Sequence, residues 1–210
     1  TIQLDQVMRQ TDEVFITALN SIRTRDKDYI KSLEFLNSKG LEDKEDGEHI
    51  YLCATNRSAE VVNSYYFDEL EGKTSTYRGF ASPGFKDLPV PYCIELKLGC
   101  RVMICANDKS GAYYNGQTGH VHALEQNLIF VDLDDEGGIV AIEKNTWEEY
   151  DYVKVDGIIV KKVMATYVQF PIKLGYAITV HKSQGLSLAS AVIHTEGRCF
   201  AHGQAYVALS

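Results

Sequence analysis

The sequence predicts an α/β fold in which a parallel sheet covered by helices is interrupted by an inserted small β-barrel. The first sign is an apolar run at 50–54 followed by a polar turn and an amphipathic helix, because such units build parallel sheets. The second is a later series of about five short strands with glycine turns, which is typical of a small barrel. We therefore assign residues 1–92 and 167–210 to the α/β domain and residues 93–166 to the barrel.

The composition of the chain limits the classes of protein to which it can belong. Of the 210 residues, 45% are hydrophobic and 24% are charged, as in globular proteins. The chain has neither the run of about 18 apolar residues that a membrane span needs nor a signal peptide, so no membrane partner is expected. It does not begin with Met, and we expect it to be a piece of a longer protein. Five cysteines without a C-x-x-C pair favour an intracellular location, cytoplasmic in bacteria and nuclear or mitochondrial in eukaryotes.

Charge limits the way in which the chain could bind nucleic acid. A net charge of −8 argues against binding mainly through bulk attraction to phosphates. A local anion-facing surface remains possible, because residues 151–185 contain five lysines and only two acidic residues. His120 and His122 would share one face of a strand, but they have no acidic or thiol partner nearby in sequence, and no metal site is predicted.

The first 40 residues predict two helices. Residues 11–13, Thr-Asp-Glu, provide an N-cap and an acidic first turn for a helix with apolar residues at helical spacing from Val14 to Ile22. A second amphipathic helix begins near Tyr29 and stops at Gly40.

A polar turn, Thr55–Ser58, follows the predicted strand at 50–54. Its place at the carboxyl end of a strand is where parallel sheets bind ligands. Thr55 or Asn56 could also simply cap the helix that begins there, and the two roles are compatible.

The middle of the chain predicts a connector and then hairpins. Residues 73–91 contain glycines and prolines and are interpreted as a connector. Hairpin turns are predicted at Asn115-Gly116, at 134–138 and at 156–157. Trp147 is expected to fill the barrel, with stacking on a base as the alternative. For Tyr113 and Tyr114, covering a barrel end is favoured over stacking on bases.

Residues 174–188 combine a predicted core strand with a polar segment at its end. An apolar run from Tyr176 to Val180 predicts a buried strand, and it gives way to the polar segment His181-Lys182-Ser183-Gln184 and then Gly185. Such a segment at the tip of a core strand can contact a ligand or can be a solvated turn.

These pieces together resemble superfamily I DNA helicases of the 5′-to-3′ branch, the RecD-like and PIF-type enzymes. Residues 179–185, Thr-Val-His-Lys-Ser-Gln-Gly, resemble the fifth motif of that family, and residues 205–210 resemble the sixth. Residues 7–10, Val-Met-Arg-Gln, resemble the fourth motif, and residues 52–56 resemble the strand and loop that follow it. Residues 98–119 resemble the start of an inserted SH3-like barrel. The resemblance covers nearly the whole chain.

The resemblance implies the second of two RecA-like motor domains, interrupted by the barrel. The family clamps ATP and Mg²⁺ between two such domains and moves along single-stranded DNA. No phosphate loop of the form G-x-x-x-x-G-K-[ST] is present, so ATP and Mg²⁺ are expected to be bound mainly by an N-terminal RecA-like domain outside this chain. We expect this chain alone neither to hydrolyse ATP nor to unwind DNA. The family also implies an arginine directly after Ser210, which is expected to lie in the longer protein.

The resemblance also implies the roles of individual residues. Arg9 would be an arginine finger that stabilises charge on the transferred phosphate. The implied nucleotide-binding residues are Gln184, Gly185 and Gln204. The implied DNA-binding residues are Thr55, Asn56, Thr179, His181, Lys182 and Ser183.

Three alternatives remain at the level of sequence. The chain could belong to the helicase half of a conjugative relaxase or of a transposon protein. It could be a nucleic-acid-binding module derived from a helicase that has lost its motor. A small hydrolase using Cys199 and His202 is disfavoured, because no orienting acid or oxyanion site accompanies them.

Overall fold

The computed structural model contains five helices and thirteen strands among the residues that it describes. The described residues are 12–40, 47, 49–135, 137–155, 158–184, 186, 188, 190–194 and 203–209. The helices are α1 (Glu13–Thr24), α2 (Tyr29–Lys39), α3 (Asn56–Glu69), α4 (Val180–Ser183) and α5 (Gln204–Leu209). The strands are β1 (Ile50–Cys53), β2 (Ser75–Arg78), β3 (Phe80–Ala81), β4 (Cys93–Leu96), β5 (Arg101–Ile104), β6 (Thr118–Leu124), β7 (Ile129–Leu133), β8 (Ile139–Ile142), β9 (Asn145–Val155), β10 (Ile158–Gln169), β11 (Ile172–Leu174), β12 (Ala177–Thr179) and β13 (Ala191–His194).

The chain forms two compact units. The first comprises residues 1–59 and 178–210, and the second comprises residues 60–177. None of the helices in the described ranges is long and apolar enough to cross a membrane. The domain boundaries expected from the sequence, at 92/93 and 166/167, remain a prediction.

The first unit contains a three-stranded sheet in the order β12-β1-β13. The central strand β1 pairs in parallel with β13, with Ile50 opposite Ala191 and Cys53 opposite His194. All four residues of β1 are buried, as expected for the centre of a parallel sheet that is covered on both faces. This sheet confirms the predicted α/β class.

Helices α1 and α2 of the first unit begin and end close to the predicted residues. The Asp12 carboxylate accepts hydrogen bonds from the backbone N–H groups of Val14 (2.9 Å) and Phe15 (3.1 Å), which confirms the predicted N-cap. The two helices bury a small apolar cluster of Ala18, Leu19 and Leu36. The apolar residues that recur at helical spacing in these two helices therefore include the ones that pack between them.

The second unit is built on an antiparallel sheet of five strands in the order β11-β5-β6-β7-β8. The predicted hairpins at Asn115-Gly116 and at 134–138 are confirmed, because β5 pairs with β6 and β7 pairs with β8. The predicted closure into a barrel is not found in the described part of the chain. Strand β10 pairs with β3 on one side and with β9 on the other, and these three strands form a separate sheet instead of joining the ends of the five-stranded one.

The segment interpreted as a connector is structured. Strand β2 pairs with β4, and β3 pairs with β10, so these short strands belong to the second unit. Gly79 lies between them, and a Cβ atom there would meet the Tyr167 ring at 2.9 Å. The prolines at 83, 89 and 91 lie outside the strands, which is why composition alone indicated a loop.

The hairpin of β9 and β10 is longer than the short strands predicted at 152–155 and 158–163. The two strands have 11 and 12 residues, and the turn predicted at 156–157 lies outside the described residues. Near the base of this hairpin, Trp147 stacks on the buried Tyr167 with ring centroids 5.7 Å apart. Trp147 therefore packs against the core. Tyr113 is also buried, whereas Tyr114 is exposed.

Lys97 caps the carboxyl end of α3. Its ammonium group donates hydrogen bonds to the carbonyl oxygens of Phe67 (2.8 Å) and Leu70 (2.7 Å) and lies 4.6 Å from the centroid of the Phe67 ring. A cation at a helix carboxyl terminus is favoured both by the helix dipole and by the unsatisfied carbonyl groups there.

We expect Lys97→Met to destabilise the chain by about 1–2 kcal/mol, because it removes two charge-assisted hydrogen bonds while keeping the aliphatic stem. Thermal unfolding followed by circular dichroism measures the change. Lys73→Met, at an exposed lysine of the same unit, is the control and should leave the midpoint nearly unchanged. Equal shifts in both variants would contradict the cap.

Candidate functional site

The segment after β12 forms a helical turn. The strand ends at Thr179, one residue earlier than predicted, and α4 occupies the polar segment that was expected to be a loop. The Ser183 hydroxyl donates a hydrogen bond to the carbonyl oxygen of Val180 at 2.8 Å and so closes the turn. Thr179 and Ser183 are buried, while His181 and Lys182 face solvent. The turn thus presents an imidazole and an ammonium group on its open side.

Thr55 is the N-cap of α3. Its side-chain oxygen accepts a hydrogen bond from the backbone N–H of Ser58 (3.1 Å) and lies 2.9 Å from the Ser58 hydroxyl oxygen. The backbone N–H of Ala59 donates to the Thr55 carbonyl oxygen at 3.2 Å. Thr55 and Asn56 are both exposed. The capping role is therefore established, and it leaves these side chains accessible at the end of β1.

A pocket of about 160 Å³ lies within the first unit, beside α4 and α5. It brings together three of the residues that the family resemblance singled out. Its lining residues are Val180, His181, Gln184, Gly203, Gln204, Tyr206 and Val207. None of these seven carries a carboxylate. The Tyr206 ring also packs against the apolar cluster of α1 and α2.

Gln204 is buried, and its amide group donates a hydrogen bond to the carbonyl oxygen of Ala54 at 2.8 Å. This bond joins the start of α5 to the residue that follows β1. Gln184 is exposed on the other side of the same pocket. Arg9 and Gly185 lie outside the described residues.

Asn63 is a polar contact residue that the sequence interpretation missed. It lies on α3, and its amide exchanges two hydrogen bonds with the backbone of Ala177, at the start of β12. The only signal in the sequence is an asparagine next to the apolar positions of an amphipathic helix, which resembles many exposed asparagines.

Comparisons with known proteins show which helicases the chain is similar to. No protein-family model matches the chain. An ATP-dependent DNA helicase Pif1 of Campylobacter jejuni is 30% identical over 231 residues, which cover all of this chain and 51% of that protein. The chain is homologous to Pif1-type DNA helicases. Pif1 of Bdellovibrio bacteriovorus (30%, 47% of its length) and PIF1 of Xenopus laevis (29%, 33% of its length) also match the whole chain.

Solved Pif1 structures agree with this relationship. A Bacteroides Pif1 in complex with ADP-AlF4 has 35% identity and a TM-score of 0.81 over 97% of this chain and 47% of its own. A Bacteroides Pif1 in complex with ADP-AlF3 and single-stranded DNA has 35% identity and a TM-score of 0.71. The chain therefore spans about half the length of the bacterial Pif1 proteins that it matches.

Proposed function

We propose that this chain is part of an ATP-dependent 5′-to-3′ DNA helicase of the Pif1 type, in which it contacts single-stranded DNA and supplies an arginine finger. The observation that carries the proposal is similarity along the entire chain to helicases of this type, one of which has been solved with single-stranded DNA and a nucleotide analogue. The location that follows is intracellular, where the DNA substrate is.

In this proposal the chain has two domains. Residues 1–92 and 167–210 form the second RecA-like motor domain, and residues 93–166 form an inserted domain of the SH3-like type, whose described strands do not close into a barrel. The parallel pair of β1 and β13 supports the first assignment, and the antiparallel pairing of β5 to β8 supports the second. The partner of the motor domain is an N-terminal RecA-like domain of the same protein.

His181 and Lys182 are proposed to contact the DNA backbone. They are exposed on a single helical turn at the end of a core strand, and their groups can donate hydrogen bonds to phosphate oxygens in any base sequence. Two such side chains need no large net positive charge, which agrees with a chain of charge −8.

Thr55 and Asn56 are proposed to hold a neighbouring phosphate. They are exposed at the beginning of α3, where backbone N–H groups and the helix dipole favour an anion. Thr179 and Ser183, also predicted as DNA contacts, are buried, and we propose that they support the turn that carries His181.

Gln184, Gly185 and Gln204 are proposed to form the nucleotide side of the site. Amide groups fit the edge of a nucleotide or its phosphate oxygens as hydrogen-bond donors. The same donor set does not fit Mg²⁺, which prefers carboxylate oxygens, and none of the seven described residues that line the pocket carries a carboxylate. Mg²⁺ and most of the ATP are therefore assigned to the N-terminal domain.

The proposal is tested by measuring ATP turnover of the full-length polypeptide with and without single-stranded DNA. His181→Ala is expected to raise the DNA concentration for half-maximal stimulation by about tenfold or more, because it removes one hydrogen bond to a charged group. His49→Ala, at a partly exposed histidine of the same unit, is the control. The proposal would be overturned if the ATP turnover of the full-length protein were the same with and without single-stranded DNA.

A further inference from the structure

We propose that Asn63 is a positioning residue of the DNA-contacting site, which holds the strand leading to His181 and Lys182 in register with helix α3. The inference rests on the proposed function and adds to it a residue that none of the helicase-like motifs contains. Asn63 lies on α3, one helical turn before the cap that Lys97 provides.

The Asn63 side chain makes with the Ala177 backbone the two hydrogen bonds that a neighbouring strand would otherwise make. Its Nδ2 group donates to the Ala177 carbonyl oxygen at 2.9 Å, and its Oδ1 atom accepts from the Ala177 backbone N–H at 3.0 Å. An amide side chain carries one acceptor and two donor hydrogens, so it can reproduce the double exchange that a hydrogen-bonded pair makes in an antiparallel ladder. The pair links residues 114 positions apart in the sequence.

The two elements joined in this way both lead to proposed DNA contacts. Helix α3 begins at Asn56, directly after its cap Thr55. Strand β12 ends at Thr179, and the next residues form the turn with His181 and Lys182. The two hydrogen bonds therefore hold Ala177, the first residue of β12, against α3, two residues before the strand ends at Thr179.

An aromatic contact lies beside the amide pair but cannot replace it. Tyr66 stacks on Tyr176 with ring centroids 5.3 Å apart and an interplanar angle of 22°. Aromatic pairs are favourable in several arrangements with ring centroids about 4.5–7 Å apart, so the two rings alone do not define one register. The amide pair does define one, since a shift of one residue leaves a backbone N–H and a carbonyl group without a partner. Asn63 therefore supplies the register, and the tyrosines supply apolar contact.

The test compares three variants of the full-length polypeptide. Asn63→Leu keeps the approximate size of the side chain and removes both hydrogen bonds. Asn63→Asp keeps the acceptor but places a carboxylate oxygen against the Ala177 carbonyl oxygen. Lys97→Met weakens the same helix at its other end without touching β12, and serves as the stability control.

We expect both Asn63 variants to raise the DNA concentration for half-maximal stimulation of ATP turnover by about tenfold, while turnover at saturating DNA falls less than about twofold. In the same variants, amide hydrogen exchange in residues 177–183 should accelerate by about tenfold or more. Lys97→Met should change neither quantity by more than about twofold, although it lowers the melting temperature.

Two results would overturn the proposal. One is an Asn63→Asp variant that matches wild type in DNA dependence and in exchange at 177–183. The other is a Lys97→Met variant that weakens DNA dependence as much as the Asn63 variants do, since the effect would then be general destabilisation. Failure of the proposed function is distinct, because in that case the wild-type protein itself would show no response to DNA.

Discussion

Replacing Arg9 with alanine in the full-length polypeptide is expected to lower ATP turnover by about 10³-fold or more, which is the range that arginine fingers contribute to phosphoryl transfer. The guanidinium group is planar and permanently charged, so it can stabilise two phosphate oxygens at once, and alanine offers no substitute. Arg9 stands three residues before the N-cap Asp12 in the sequence, and its role rests on the family resemblance of residues 7–10.

Steady-state ATP hydrolysis at saturating single-stranded DNA measures the loss, and DNA binding by fluorescence anisotropy should change by less than about threefold. Arg23→Ala is the matched control, because Arg23 is an exposed arginine of α1 that hydrogen-bonds only to Asn20 in the contacts described. Turnover that survives in Arg9→Ala would assign the finger to another residue.

Gly119→Ala should be the most destabilising small substitution in the second unit. Gly119 lies in β6 between Val102 of β5 and Leu133 of β7. An added Cβ atom would collide with the carbonyl oxygen of Asp132 and would lie 2.9 Å from the Leu133 Cα atom. Neighbours on both sides hold β6, so the backbone cannot move aside. We expect a loss of about 3 kcal/mol, at the upper end of the cost of overpacking.

Chemical denaturation of the chain measures this loss of unfolding free energy. Gly40→Ala is the control, since Gly40 follows α2 with φ −61° and ψ 137°, which alanine adopts freely, and its closest neighbour would be 3.4 Å from the new Cβ atom. That variant should stay within about 0.5 kcal/mol of wild type. If both glycine variants unfolded at the same denaturant concentration, the close approach of β6 and β7 would be contradicted.

The elements that could be predicted from sequence are those with local causes. Asp12 caps α1 through atoms two and three residues away, and β1 is recognisable because all its side chains are apolar. The strands β2 and β3 were missed because they have only four and two residues and exist through pairing with distant partners. The closed barrel was predicted from strand number, but the number of strands does not determine which edges pair.

The same contrast between local causes and contacts with distant residues applies to the candidate site. The motif at 179–185 could be located from its residues, yet its helical turn and the burial of Thr179 and Ser183 depend on packing. The bond from Gln204 to Ala54 spans 150 residues, and that from Asn63 to Ala177 spans 114. No local pattern encodes contacts of this length, so their side chains look like ordinary polar residues in the sequence.

The first unit is discontinuous, and this has a consequence for synthesis. Strand β1 is made early, but its parallel partner β13 follows only after roughly 140 more residues, which take about 7–28 s at ribosomal rates. During that interval the second unit, which is continuous in sequence, can fold, whereas the apolar β1 has no neighbouring strand. The nascent chain therefore carries an apolar β-forming segment that lacks its parallel partner strand during this interval.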